Sequence, residues 1–168
     1  MSLLTRAETV REAVAEVADP EIPVLTIADL GVLRDVAVDE GGHVDVTITP
    51  TYSGCPAMDA ITADVERAVR AQGYRDVSVH TVLSPAWSTD WISEEGRRKL
   101  REYGIAPPDH TSSGDTGGKQ RTLVQLSVRC PQCGSPETRL LSQFGSTACK
   151  ALRVCDDCRE PFDHFKTL

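Results

Sequence analysis

Two Cys-x-x-Cys pairs, Cys130/Cys133 and Cys155/Cys158, stand 21 residues apart near the end of this 168-residue chain. A Cys-x-x-Cys turn brings two thiolates onto one ion and aims backbone N–H groups at sulfur. Two such turns complete a tetrahedral four-sulfur shell, which suits zinc, with iron as the alternative metal. The surroundings lack the βαβ pattern of a thioredoxin-like redox site. A segment of under about 50 residues cannot bury enough core without a staple, so the metal is expected to be structural. Thr122–Val128 and Arg139–Phe144 read as its strands, giving a small β zinc ribbon over 121–168.

Two cysteines stay outside that shell. Cys149 is expected to be a small buried residue; the alternative is a spare thiolate that receives a cluster or exchanges as a ligand. His164 reads as a surface or packing residue, because four cysteines already fill the shell. Cys55 lies just before a predicted helix, where exposed N–H groups are expected to lower a thiol pKa. Metal ligand, nucleophile and buried corner residue all remain open for it. Asp19, Glu21 and Asp29 are candidates for the same end of the sheet, although Asp19 can simply stop a helix and Asp29 can simply form a turn before Gly31. No histidine lies near Cys55 in sequence to act as its base, and phosphate-loop, dinucleotide and di-iron motifs are missing.

The remaining pattern is that of an ordinary domain over 1–106. Thr5 and Glu8 fit a capping box ahead of Val10, Ala13, Val14 and Val17 at helical spacing. Val32–Val38 and His43–Pro50 read as a hairpin around Asp39–Gly42. Pro56 opens a second helix with Met58, Ile61, Val65, Ala68 and Val69 on its apolar face, stopped by Gly73. Val77–Leu83 is a third strand, and Ser93 caps a helix to Tyr103. Trp87 and Trp91 are expected to pack across the sheet end, with partner contact as the alternative. This order predicts an α+β fold, a small mixed sheet with helices on one face. The Gly- and Pro-rich stretch 107–120 reads as a linker.

With a net charge of −7, a broad nucleic-acid or membrane-binding face is not expected. The run Arg97, Arg98, Lys99 and Arg101 reads as a solvated helix face. No apolar run of about 18 residues and no secretory leader are apparent, so a cytoplasmic protein is expected.

Three ordered motifs carry a resemblance. Asp19-Pro20-Glu21-Ile22-Pro23-Val24, Asp29-Leu30-Gly31 and Thr49-Pro50-Thr51-Tyr52-Ser53-Gly54-Cys55-Pro56 resemble the iron–sulfur assembly domain of the SufT type over residues 5–106. With the four-cysteine tail, the whole chain resembles the PaaD (PaaJ-type) family, subunits associated with phenylacetyl-CoA epoxidase, a monooxygenase of aerobic phenylacetate degradation. The resemblance implies a component without catalysis of its own, working with oxygenase and reductase subunits. It also implies a role in maturing or inserting an iron–sulfur or iron centre, with Cys55 as the reactive cysteine and Asp29 as the acid of the Asp-Leu-Gly motif. A homodimer is a further implication, and a structural adaptor docking through the ribbon is the alternative function.

Overall fold

A computed structural model describes residues 3–108 and 128–167. By contact the chain divides into two compact units, residues 1–96 and 97–168. The expected linker from residue 109 onward and most of the expected strand Thr122–Val128 lie outside the described residues.

In the first unit, α1 (Leu3–Ala15) is followed by the hairpin β1 (Leu33–Val38) and β2 (Val44–Ile48), then α2 (Ala57–Ala71) and β3 (Val77–Thr81). The sheet order is β1-β2-β3, antiparallel then parallel. Helix α1 lies against β1 and α2, and α2 lies against β3. Val10 and Val14 of α1, Val44, Val46 and Ile48 of β2, and Ile61, Val65 and Val69 of α2 form the buried core. The α+β expectation therefore holds. The capping box does not: α1 already includes Thr5, whose carbonyl accepts from Thr9 Oγ1.

Strand β1 departs from simple alternation. Its register against β2 shifts between Leu33 and Asp35. The extra residue lets Leu33 and Val36, three apart, both face the core. That residue, Arg34, holds its guanidinium 3.8 Å from the centre of the Trp91 ring. Trp87 is buried and donates from Nε1 to the Leu30 carbonyl at 2.8 Å. Both tryptophans thus pack beside the turn before β1 and the start of that strand. Ser93 caps α3 (Glu94–Tyr103) by accepting from the Gly96 N–H at 2.9 Å.

In the second unit, a four-stranded sheet runs β4-β7-β6-β5, with β4 (Ile105–Ala106), β5 (Thr138–Ser142), β6 (Lys150–Cys155) and β7 (Pro161–Phe165). The basic run is not a uniformly solvated face. Arg98 pairs with Glu102 at the surface, but Arg97 is buried and donates to the Pro108 carbonyl. Among the described residues no helix is long and apolar enough to cross a membrane.

Gly31 fixes the corner before β1. Its φ is +71°, and an added Cβ would fall 2.6 Å from both Cβ and the carbonyl oxygen of Trp91. Replacing Gly31 by Ala should cost at least about 2 kcal/mol, from left-handed strain plus a clash with backbone. Gly42 also has positive φ but nothing within 4 Å, so Gly42→Ala should cost the left-handed strain alone, about 1 kcal/mol. Urea unfolding followed by tryptophan fluorescence checks this, because both tryptophans of the chain belong to the first unit.

Candidate functional site

The four-sulfur cluster is assembled by two turns of the same design. In the first, the Gly134 N–H donates to the Cys130 carbonyl at 2.9 Å and the Cys130 N–H to the Ser135 carbonyl at 2.9 Å. In the second, the Arg159 N–H donates to the Cys155 carbonyl at 3.1 Å and the Cys155 N–H to the Glu160 carbonyl at 3.0 Å. The residue after each second cysteine is left-handed, Gly134 at φ +76° and Arg159 at φ +66°. The first turn precedes β5, and the second joins β6 to β7.

All four Sγ atoms lie within 4.8 Å of one another. Cys130 and Cys158 sulfurs are 3.7 Å apart, and Cys133 and Cys155 sulfurs 3.6 Å apart. A tetrahedral ion with Zn–S bonds of about 2.3 Å requires S···S edges of about 3.8 Å. The donor set therefore fits a tetrahedral metal, and the four cysteines picked out by spacing are brought together.

Protonation points the same way. The Cys158 N–H, then the Asp157 N–H and the Cys133 and Cys158 thiols, hold the Cys155 thiol down at about 7 against burial. At Cys158 the Glu160 N–H lowers the pKa, but burial and hydrogen bonds with the other three thiols outweigh it and push it up to about 12. Without a cation the Cys155 sulfur is the readily ionised one, whereas Cys133 and Cys158 are pushed toward the protonated form. A dication would displace those protons.

Cys149 is not part of this cluster. It stands one residue before β6, and six residues at about 3.3 Å each put it about 20 Å along the strand from Cys155. It is buried, with its sulfur 3.1 Å from Thr147 Oγ1. His164 is buried too, in β7.

Cys55 forms a different site, in the first unit. Its N–H donates to the Tyr52 carbonyl at 3.3 Å, and its carbonyl accepts from the Met58 N–H at 3.2 Å. Pro56 is the N-cap of α2, so the half-buried thiol sits at the helix entrance, where the Ala57 N–H reaches the sulfur. The expected depression of its pKa is not found. Burial raises the thiol first; the Ala57 N–H and the Tyr52 hydroxyl pull it down, but Glu21 and Asp19 push it up, and the net shift is upward. Helix-end N–H groups are outweighed by desolvation and two nearby acids.

Of the three candidate acids, Asp19 and Glu21 act on Cys55. Asp19 also holds its turn, accepting at Oδ1 from the Glu21 and Ile22 N–H groups, each at 2.8 Å. Asp29 is buried and builds structure. Its carboxylate accepts from the Thr26 N–H at 3.1 Å and from Ser93 Oγ at 3.3 Å, while its carbonyl accepts from the Ser93 N–H at 2.8 Å. Tyr52, inside the motif that contains Cys55, is not legible from sequence as a partner of the thiol, because a tyrosine three residues away carries no spacing signature.

The strained turn and the surroundings of Cys55 can each be tested. Arg159→Gly relieves left-handed strain and should stabilise the metal-loaded ribbon by about 1 kcal/mol, read as slower metal loss to a competing chelator. Glu21→Gln should move the pH profile of Cys55 alkylation to lower pH and Tyr52→Phe to higher pH, followed by mass spectrometry of the Cys55 peptide.

The family model described as the PaaD zinc beta ribbon domain matches residues 114–166, and that of the iron-sulfur cluster assembly protein matches residues 7–81. An Escherichia coli (strain K12) protein, named as a component of 1,2-phenylacetyl-CoA epoxidase, is 48% identical over 154 residues, 92% of this chain and 88% of that one. A Porphyromonas gingivalis protein named as an Fe-S protein maturation auxiliary factor is 38% identical over 98 residues, 58% of this chain and 92% of its own. A domain-of-unknown-function DUF59 structure from Bacillus anthracis superposes with a TM-score of 0.56 at 28% identity, over 60% of this chain and 95% of that one.

Proposed function

This chain belongs to the PaaD family of phenylacetyl-CoA epoxidase components, and we propose that it matures or inserts an iron–sulfur or iron centre in a partner subunit of that system. Cys55 is the residue that receives the cargo. Cys130, Cys133, Cys155 and Cys158 hold one zinc ion that staples the ribbon, supplying a fixed tetrahedral crosslink. The observation that carries this reading is a thiol at the entrance of α2, flanked by two acids and a tyrosine hydroxyl, within the segment that matches the iron–sulfur assembly family.

The electrostatics suit a transfer ligand. Glu21 and Asp19 oppose a free thiolate, so Cys55 is kept as the less oxidisable thiol while it waits. A cationic iron reverses the sign of those same acids, because negative charge near the metal then favours the bound state. Ligation releases the Cys55 proton to solvent, and the Tyr52 hydroxyl and Ala57 N–H hold the sulfur's negative charge. Asp29 serves the site as a positioning residue, through the turn and the α3 cap that it ties together.

A second reading has its own observation. Leu140, Leu141 and Phe144 of the ribbon are 42%, 47% and 70% exposed, which favours an adaptor that docks in the epoxidase complex.

Co-expression of Cys55→Ser with the reductase and oxygenase subunits separates the two. The maturation reading expects iron and labile sulfide in the partners to fall several-fold, with about one zinc per chain retained in the mutant. Full loading of the partners by Cys55→Ser would defeat it. The adaptor reading expects Phe144→Ser to abolish co-purification whatever stands at position 55.

A further inference from the structure

The ribbon unit carries a cationic cavity away from its sulfurs. It has a volume of about 330 Å³ and is lined by Arg153, His164, Lys166 and Gln143, with Leu140 and Ala151 among its apolar walls. Pairing places these groups side by side. Leu140 lies opposite Arg153 across β5 and β6, and Ala151 opposite His164 across β6 and β7. Among the described residues no acid lines the cavity, in a chain whose net charge is −7.

Arg153 is the informative side chain. It is 8% exposed. Its Nη2 reaches the Thr138 carbonyl only at 3.4 Å, and its Nε has no hydrogen-bond partner among the described residues. The neighbouring acids are engaged elsewhere, Asp156 with Arg139 at 3.0 Å and Asp163 with Lys150 at 3.7 Å. Lys166 meets the Gln143 carbonyl, at 3.1 Å, and the Phe144 ring.

A buried carboxylate can escape its desolvation cost by taking up a proton. A guanidinium cannot lose one at any working pH. A buried arginine without a counter-ion is therefore costly until an anion meets it. A guanidinium is a donor fork suited to two oxygens of one oxyanion, and Lys166 adds a second cation to the same lining.

We propose that this cavity is a binding site for a small phosphate ester, with Arg153 gripping the phosphate and Lys166 supplying the second charge. Two cations favour a dianion over a carboxylate. The volume leaves room for a small organic group against Leu140 and Ala151.

The test uses the full zinc-loaded chain. Inorganic phosphate and glycerol 3-phosphate are titrated against sodium chloride and sodium acetate at matched ionic strength, read by ³¹P line broadening and by melting temperature. Saturable binding of both phosphates is expected, weakened about tenfold in Arg153→Gln and in Lys166→Gln with zinc content unchanged. A phosphate response no larger than that of chloride overturns the proposal, as does acetate binding as tightly as phosphate. Where Arg153→Gln loses zinc, Lys166→Gln decides, and wild-type binding by that variant also overturns it.

Discussion

Convergence of four sulfurs is the constraint on which the ribbon depends. The buried cluster around the site joins Ala106, Val128, Cys130, Cys155 and Phe162, and two of these five are candidate ligands. A cluster of that size does not by itself offset the entropy of ordering the two turns beside it. The metal site is therefore part of the core, and the two turns exist to place sulfur. That Arg159 occupies a left-handed position where the first turn uses Gly134 indicates that the turn geometry is imposed by the site rather than by local preference.

The assembly-like unit solves a different problem. Its sheet and helices bury a continuous aliphatic core, so its irregular segments are free to carry chemistry. The stretch between α1 and β1 is held by side chains: Asp19 closes one turn, Asp29 another, and Gly31 lets the chain pass against Trp91. This braced corner sets Asp19 and Glu21 where they act on Cys55. The four-sulfur cluster lies in one unit and the Cys55 thiol, outside that cluster, in the other.

Legibility followed the strength of local signals. The hairpin is readable because Val44, Val46 and Ile48 alternate cleanly, and α2 because Ile61, Val65 and Val69 recur at one helical face between Pro56 and Gly73. Strands β6 and β7 are not. In Lys150–Cys155 burial alternates from Ala151 onward, but Arg153 is buried while Leu152 and Val154 are only half-buried, so hydrophobicity does not report the buried face, and Pro161–Phe165 begins on a proline. Strand β4 is two residues long and exists only through its pairing with β7. Arg97 looks like one more surface charge because its acceptor, the Pro108 carbonyl, carries no sequence mark.

The sequence by itself determined the four-cysteine cluster, the order of the α+β unit and the suspicion attached to Cys55, since each rests on spacing or on a residue beside a helix start. Only the tertiary structure decided the state of that thiol. The helix entrance argues for an ionised sulfur, but burial and the through-space charges of Glu21 and Asp19, over thirty residues earlier, reverse the sign. It also decided that Cys149 stands a full strand away from the cluster, and that Arg153 is buried with no acid of the described residues against it. Spacing reports what a turn can bring together; desolvation and charge from distant segments become visible only once the chain is folded.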